Sequence, residues 1–186
     1  MANKTDENLL KAFTGESIAR NKYTLFASVA RKEGFEGIAR IFEITANNER
    51  GHAEILMEFI KPGTKTTFNS AIEPVADTYT NLVHAAEGEK YEWGTMYPDF
   101  EKIAREEGED EIAGMFKEIA EVEEKHEERY RKLADDVKGK TVFKRDEEIE
   151  WECLNCGYIH KGKEAPEKCP ACAHPQAFYK PRCALI

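Results

Sequence analysis

The chain has 186 residues, enough for one domain of ordinary size and a small appended module. Its formal net charge of −9 argues against nucleic acid or an anionic membrane surface as a partner, and its 34% of charged residues is typical of long solvated helices. The N-terminal residues lack the apolar core of a signal peptide and no apolar run reaches membrane-spanning length, so we expect a cytoplasmic protein.

Four amphipathic helices are predicted in the first part of the chain, because apolar residues recur there at spacings of three and four. They cover residues 5–33, 36–60, 74–107 and 109–136. Thr5 or Asp6 is the expected cap of the first helix, and Gly34 is expected to end it. Residues 62–73 form the longest connection. Two helix pairs joined by one long connection are typical of the ferritin-like four-helix bundle.

An internal repeat supports this pairing of helices. One shift of the chain aligns Tyr23 with Tyr97, Gly34 with Gly108, Glu49 with Glu123 and His52 with His126. Glu16 aligns with Glu89 only if the third helix carries one extra residue before Tyr97. A π-bulge is one way for a helix to absorb that residue, and such bulges are common at functional sites.

Acidic residues on the buried faces predict a metal site. Each helix places a glutamate on its apolar face near its middle, namely Glu16, Glu49, Glu89 and Glu123. Several ionised carboxylates cannot be buried together unless cations neutralise them. The second and fourth helices each add a histidine one turn after the glutamate, His52 and His126. Single Glu-x-x-His pairs are common surface ion pairs, but two symmetric pairs facing two further glutamates indicate a di-iron or di-manganese bundle.

Two aromatic residues and one further histidine lie near these positions. Tyr23 and Tyr97 are expected to hydrogen-bond the ligand carboxylates, with a purely packing role as the alternative. His84 lacks a metal-binding context and is expected to be a surface or packing residue.

The C-terminal segment has a different character. Residues 1–136 form the predicted bundle, residues 137–150 read as a charged linker, and residues 151–186 are a short module that needs a metal to fold. Two Cys-x-x-Cys pairs supply four thiolates, Cys153, Cys156, Cys169 and Cys172. Four thiolates suit zinc or iron, and a reducing compartment disfavours disulfides. The motif alone favours zinc, whereas fusion to a redox-capable bundle favours iron. Cys183 is expected to be an ordinary thiol.

Together these features resemble the rubrerythrin family over essentially the whole chain. The stretches that carry the resemblance are residues 13–17, 49–53, 88–93, 96–98, 123–127 and 151–175. The resemblance implies a mainly α fold: a ferritin-like di-iron bundle followed by a small rubredoxin-like β and knuckle domain with one iron on its four cysteines. It adds Glu92 as a seventh ligand, one turn from Glu89, and implies that one iron moves between Glu92 and His52 as the redox state changes.

The resemblance also implies an activity. Family membership would make the chain a peroxidase that protects against oxidative stress, with two ferrous ions bridged by Glu49 and Glu123 reducing hydrogen peroxide, and with the seven bundle ligands carrying the reaction. Electrons would return through the tetrathiolate iron from NADH, by way of a separate NAD(P)H-dependent reductase or a rubredoxin. The resemblance further implies a homodimer in which one chain's tetrathiolate site approaches the other chain's di-iron site.

Two alternatives remain open from the sequence. The same ligands suit a ferroxidase that oxidises ferrous iron with dioxygen. A non-catalytic metal-binding or interaction protein, with zinc on the cysteines, would use the same motifs without redox chemistry.

Overall fold

The computed structural model describes residues 3–68 and 71–182, so Cys183 and part of the long connection lie outside the described residues. The helices are α1 Lys4–Lys32, α2 Glu36–Phe59, α3 Thr78–Tyr91, α4 Tyr97–Glu106 and α5 Asp110–Lys138, with a π-helical turn at Glu92–Met96. The strands are β1 Lys144–Cys153, β2 Ile159–Glu164 and β3 Tyr179–Pro181. The predicted mainly helical bundle with a small C-terminal strand module is confirmed. None of the described helices is long and apolar enough to cross a membrane.

The first helix begins one residue earlier than predicted. Asn3 is its cap: the Asn3 side chain accepts a hydrogen bond from the backbone N–H of Asp6 at 2.8 Å, and Asp6 accepts one in return. The expected cap at Thr5 or Asp6 is therefore wrong, because both residues lie inside the first turn. The Thr5 hydroxyl instead donates to Glu107 at 2.6 Å, which ties the start of α1 to the end of α4.

The third predicted helix is divided into α3, the π-helical turn and α4. It starts at Thr78 rather than near Pro74, because Asp77 caps it by accepting a hydrogen bond from the backbone N–H of Thr80 at 2.8 Å. The extra residue found in the repeat is absorbed by the π-helical turn, as predicted. Trp93 fastens this turn to α5 by donating from its indole nitrogen to Glu127 at 2.7 Å.

Two apolar clusters fill the bundle and leave a polar layer between them. One cluster is centred on Phe26, Phe42 and Tyr130, in which the Phe42 ring packs against the other two at centroid distances of 5.6 and 5.2 Å. The other includes Leu9, Leu56 and Phe116 and contains Tyr97. The predicted metal-binding side chains lie in the layer between these clusters, so packing on both sides holds them in place.

The C-terminal module is a three-stranded antiparallel sheet in the order β2-β1-β3. Trp151 is fully buried at its centre, and Tyr179 packs beside it. Residues 137–150, interpreted above as a linker, hold the end of α5 and most of β1. The sequence pattern does not predict this strand, because residues 144–150 are mostly exposed and show no alternation of apolar and polar side chains.

The module rests against the start of α2. The rings of Phe35 and Phe143 stack at 6.2 Å, and a Cβ on Gly37 would lie 3.7 Å from Lys180 and 3.9 Å from Leu154. A Cβ at this position would make ordinary van der Waals contacts, so the start of α2 lies directly against the Cys-rich module.

Candidate metal centre

Six of the seven bundle residues singled out in the sequence converge in the polar layer. Their ligand atoms form two groups, and within each group all atoms lie within 4.8 Å of one another. One group consists of Glu16, Glu49, His52 and Glu123, and the other of Glu49, Glu89, Glu123 and His126. Glu49 and Glu123 belong to both groups, which is the arrangement expected of two carboxylates that bridge two metal ions.

The distances around the histidines follow the internal repeat. Nδ1 of His52 lies 2.8 Å from Oε1 of Glu123, 3.1 Å from Oε2 of Glu49 and 3.6 Å from Glu16. Nδ1 of His126 lies 2.6 Å from Oε2 of Glu123, 3.3 Å from Oε1 of Glu49 and 3.9 Å from Glu89. Each of the two central glutamates thus turns one oxygen toward each histidine.

The donor set fits two cations. Both carboxylate oxygens of Glu49 and Glu123, one oxygen each of Glu16 and Glu89, and Nδ1 of both histidines are buried without an aligned hydrogen-bond partner. Their short separations therefore reflect lone pairs that point at shared positions rather than hydrogen bonds that satisfy one another. Four ionised interior carboxylates with unsatisfied oxygens destabilise the fold strongly unless cations neutralise them. Carboxylate and imidazole ligands suit iron or manganese.

The electrostatics of the layer show how strongly it requires positive charge. Burial raises the pKa of Glu16 to about 7 and raises that of Glu89 well above its usual range, with the neighbouring carboxylates adding to the effect on Glu89. Burial alone would lower the pKa of His126, but its contacts with Glu123 and Glu49 raise it to about 9. Burial likewise opposes the charged form of His52, and Glu123 leads the contacts that raise the pKa of this histidine. Without cations, the cluster must hold protons instead.

Two tyrosines donate hydrogen bonds to the carboxylates at the two ends of the cluster. The hydroxyl of Tyr23 donates to Oε1 of Glu89 at 2.6 Å, and the hydroxyl of Tyr97 donates to Oε1 of Glu16. The prediction that both tyrosines hydrogen-bond the carboxylates is confirmed. In Glu16 the tyrosine holds Oε1 while Oε2 lies 3.6 Å from Nδ1 of His52, whereas Oε1 of Glu89 both accepts from Tyr23 and lies 3.9 Å from Nδ1 of His126.

Asn48 contacts His126, and the sequence did not indicate this contact. Its side-chain amide lies 3.1 Å from Nε2 of His126 and so orients the ring with Nδ1 toward the carboxylates. An asparagine next to a candidate ligand carries no signal of its own, because polar residues are common on solvent-facing helix positions.

Glu92 lies beside the two groups rather than within them. It opens the π-helical turn, and its Oε1 would be 3.9 Å from a Cβ on Gly15. Burial raises its pKa well above the usual range, and the charges of Glu16, Glu123 and Glu49 raise it further. The cluster therefore acts on this carboxyl electrostatically, although Glu92 is only half-buried while the other cluster glutamates are almost fully buried.

The four cysteines of the C-terminal module also converge. All four sulfurs lie within 4.8 Å of one another, with Cys153 and Cys172 at 3.7 Å and Cys156 and Cys169 at 3.7 Å. Each pair sits in a tight turn: the carbonyl of Cys153 accepts from Gly157, and that of Cys169 accepts from Ala173. A backbone N–H from His174 and further sulfur contacts lower the pKa of Cys172 to about 6. Four thiols of this kind fit one tetrahedral metal ion.

Known proteins share both parts of this architecture. The Rubrerythrin family model matches residues 7–134, and the model of the rubrerythrin rubredoxin-like domain matches residues 151–180. The chain is 49% identical to a rubrerythrin of Porphyromonas gingivalis over 96% of this chain and 90% of that protein. It is 47% identical to a rubrerythrin of Nitratidesulfovibrio vulgaris over 95% and 93%. The fully reduced, all-ferrous structure of nigerythrin superposes with a TM-score of 0.66 at 36% identity, covering 97% of this chain and 88% of that one.

Proposed function

This chain belongs to the rubrerythrin family, and we propose that it is a cytoplasmic non-haem di-iron peroxidase that reduces hydrogen peroxide to water. Its two metal centres are a di-iron site in the ferritin-like bundle and a rubredoxin-like site with four cysteine ligands. The observation that carries the proposal is the sharing of Glu49 and Glu123 between two four-ligand groups, beside a half-buried Glu92.

We assign the ligands of both centres from these positions. Those of the di-iron site are Glu16, Glu49, His52, Glu89, Glu92, Glu123 and His126. Those of the tetrathiolate site are Cys153, Cys156, Cys169 and Cys172. Two observations support the assignment: the shared carboxylates of Glu49 and Glu123 are almost completely buried, and the cysteine sulfurs lie in pairs 3.7 Å apart. The two irons, when bound, supply one electron each for cleavage of the O–O bond.

The side chains around the cluster supply protons and hold the ligand carboxylates in position. Reduction of hydrogen peroxide to two water molecules consumes two protons and two electrons. Burial and the charges of Glu16, Glu123 and Glu49 raise the pKa of Glu92, so this carboxyl is suited to relay protons beside the cluster. Tyr97 and Tyr23 hold Glu16 and Glu89 in place and limit their movement. The apolar clusters above and below the layer exclude bulk water.

The placement of the Cys-rich module favours electron transfer between two chains. Leu154, next to Cys153, lies against Gly37 at the start of α2. Glu49 is twelve residues further along this helix, a rise of about 18 Å. We therefore propose a homodimer in which the tetrathiolate site of one chain serves the di-iron site of the other. An NAD(P)H-dependent reductase or a rubredoxin would supply the electrons.

Stopped-flow spectroscopy tests the proposed function. Anaerobically reduced protein is mixed with stoichiometric hydrogen peroxide and, separately, with dioxygen, while the visible colour of the ferric tetrathiolate is followed. We expect the colour to return much faster with peroxide. Faster oxidation by dioxygen would replace the peroxidase with a ferroxidase. Absence of any tetrathiolate colour would mean zinc on the cysteines and would remove the proposed electron path.

A further inference from the structure

A cavity of about 940 Å³ opens beside Glu92, between α1, α3 and the connection that follows α2. Glu92 and Tyr23 line it on the side of the metal cluster. The bundle glutamates Glu16, Glu49, Glu89 and Glu123 are at most 1% exposed, whereas Glu92 is half-buried. In the described part of the chain, the cavity therefore offers a small molecule an approach to the cluster through Glu92.

The size of this cavity far exceeds what hydrogen peroxide requires. Hydrogen peroxide is about as large as two water molecules, roughly 60 Å³ at the volume that water has in the liquid. A volume of 940 Å³ falls instead within the range of sites that hold drug-sized organic molecules. The cavity can therefore hold a peroxide that carries an organic substituent.

The walls of the cavity are suited to an apolar substituent. Ile18, Met96 and Phe100 contribute from the helices, and Phe68 and Ile72 contribute from the connection. Phe68 is 41% exposed and Ile72 is 62% exposed, so apolar surface continues from the cavity to its rim. Charged side chains such as those of Lys11 and Glu73 also line it, which leaves polar contacts for water at the opening.

Two helix-interior glycines keep the cavity open. A Cβ on Gly88 of α3 would meet nothing within 4 Å, and a Cβ on Gly15 of α1 would meet only Oε1 of Glu92 at 3.9 Å. Glycine destabilises a helix relative to alanine. Alanine would fit at both positions, so close packing does not require glycine at either. Both residues line the cavity next to Glu92, where a larger side chain would fill the space that a substrate tail needs.

We propose that the protein also reduces alkyl hydroperoxides, with the alkyl chain bound in this cavity and the hydroperoxide group placed at Glu92. The proposal rests on the peroxidase function proposed above and names a second substrate class for the same site. The O–O bond of the hydroperoxide breaks, two electrons come from the reduced di-iron site, and two protons are taken up. The products are one alcohol and one water molecule.

A chain-length series tests the proposal. The kcat/KM of the iron-loaded protein is measured with hydrogen peroxide and with ethyl, butyl and hexyl hydroperoxide. Because each buried methylene stabilises binding, we expect kcat/KM to rise about fourfold per methylene until the cavity is filled. The variant Gly88→Leu should lower the ratio of hexyl hydroperoxide to hydrogen peroxide kcat/KM by about fifteenfold, the equivalent of losing two methylene contacts.

Gly114→Leu is the matched control. Gly114 also lies within a helix and also has open space around its Cβ position, but it is on α5 and does not line the cavity. This variant should leave the substrate ratio unchanged. Similar changes of the ratio in both variants would overturn the proposal, because the effect would then come from a general disturbance of the bundle.

Binding of 1-hexanol provides a readout that is independent of turnover. Isothermal titration calorimetry on the oxidised holoprotein should show saturable binding in the wild type and in Gly114→Leu, and loss of binding in Gly88→Leu. Reduction of hydrogen peroxide with no chain-length effect and no hexanol binding would overturn the alkyl hydroperoxide proposal while the peroxidase function stands. Failure of every peroxide to oxidise the reduced protein would overturn the peroxidase function itself.

Discussion

Tyr23 on α1 donates a hydrogen bond of 2.6 Å to Glu89 on α3, across the bundle. The repeat generates the reciprocal contact, in which Tyr97 on α4 donates to Glu16 on α1. Each half of the duplicated bundle thus supplies a tyrosine that fixes a carboxylate of the other half. These two bonds join the halves at the level of the metal cluster.

Removing either hydroxyl should weaken the metal-free bundle. In Tyr97→Phe and Tyr23→Phe a buried carboxylate oxygen loses its partner, so we expect the free energy of unfolding to fall by about 1 to 3 kcal/mol. Urea unfolding followed by helical circular dichroism measures this change. Tyr130→Phe is the control, because Tyr130 is equally buried but donates to none of the cluster carboxylates among the described hydrogen bonds. An equal loss in Tyr130→Phe would assign the effect to packing.

Glu92→Gln should slow the oxidation of the reduced protein by peroxide. The amide keeps the size of the side chain, but it is a poorer iron ligand than a carboxylate and cannot relay a carboxyl proton, so we expect a decrease of about a hundredfold. Single-turnover stopped-flow with hydrogen peroxide measures it. Glu106→Gln, an exposed position on α4, should react at the wild-type rate. A wild-type rate in Glu92→Gln would exclude Glu92 from the reaction.

Cys153→Ser should separate the two centres functionally. Losing one thiolate removes the tetrathiolate iron, so NADH-coupled turnover with a reductase should be abolished. A single reaction of the chemically reduced bundle with peroxide should persist, because the di-iron ligands are untouched. Cys183→Ser, outside the Cys-x-x-Cys pairs, should retain both activities. Loss of the single peroxide reaction in Cys153→Ser would show that the two centres do not act separately.

The stabilisation that iron gives the bundle should increase with pH. Burial raises the pKa of Glu16 from 4.5 to about 7, and the pKa of His126 is raised to about 9 by its carboxylate partners despite its burial. Their protonation stabilises the metal-free fold fully at low pH, and this stability is lost as pH rises through those values. Burial opposes ionisation of Glu123, but its contacts with His126 and His52 lower its pKa to about 2. This carboxylate therefore changes the stability of the fold only below about pH 4.5.

Iron binds the ionised carboxylates, so the iron-loaded protein does not lose stability in this window. The difference in Tm between iron-loaded and metal-free protein should therefore grow from about pH 5 to about pH 8. Thermal unfolding followed by helical circular dichroism measures both forms in the same buffers. A difference that stays constant or shrinks would show that protonation of the cluster does not replace the metal charge.

Tyr179 should raise the reduction potential of the tetrathiolate iron. Its side chain is buried, and Tyr179 pairs with Cys153 across the β1–β3 ladder. Its hydroxyl has no hydrogen-bond partner of normal geometry among the described residues, and it is near enough to Cys169 to help lower the pKa of that thiol. A donor to an iron-bound thiolate favours the more negative, reduced state. Tyr179→Phe should therefore lower the reduction potential by about 60 mV, a tenfold change in the oxidised-to-reduced ratio. Spectroelectrochemistry measures the shift, and Tyr158→Phe in the same module should show none.

The sequence by itself determined the ligand types and their helical faces. The spacing of Glu49 to His52 and of Glu123 to His126 depends only on the turn of one helix, which is a local property. The same holds for the Cys-x-x-Cys turns and for the extra residue that the repeat revealed in the third helix. Each of these features involves residues close in the chain, so no knowledge of helix packing was needed.

The tertiary structure decided how these faces meet. The sharing of Glu49 and Glu123 between two groups, the crossed bonds of Tyr23 and Tyr97, and the contact of Asn48 with His126 all join residues far apart in sequence. Their geometry depends on the angle, offset and rotation at which helices pack, and many packings satisfy the same apolar pattern. The cavity beside Glu92 is likewise a space between elements, and no single segment of the sequence encodes it.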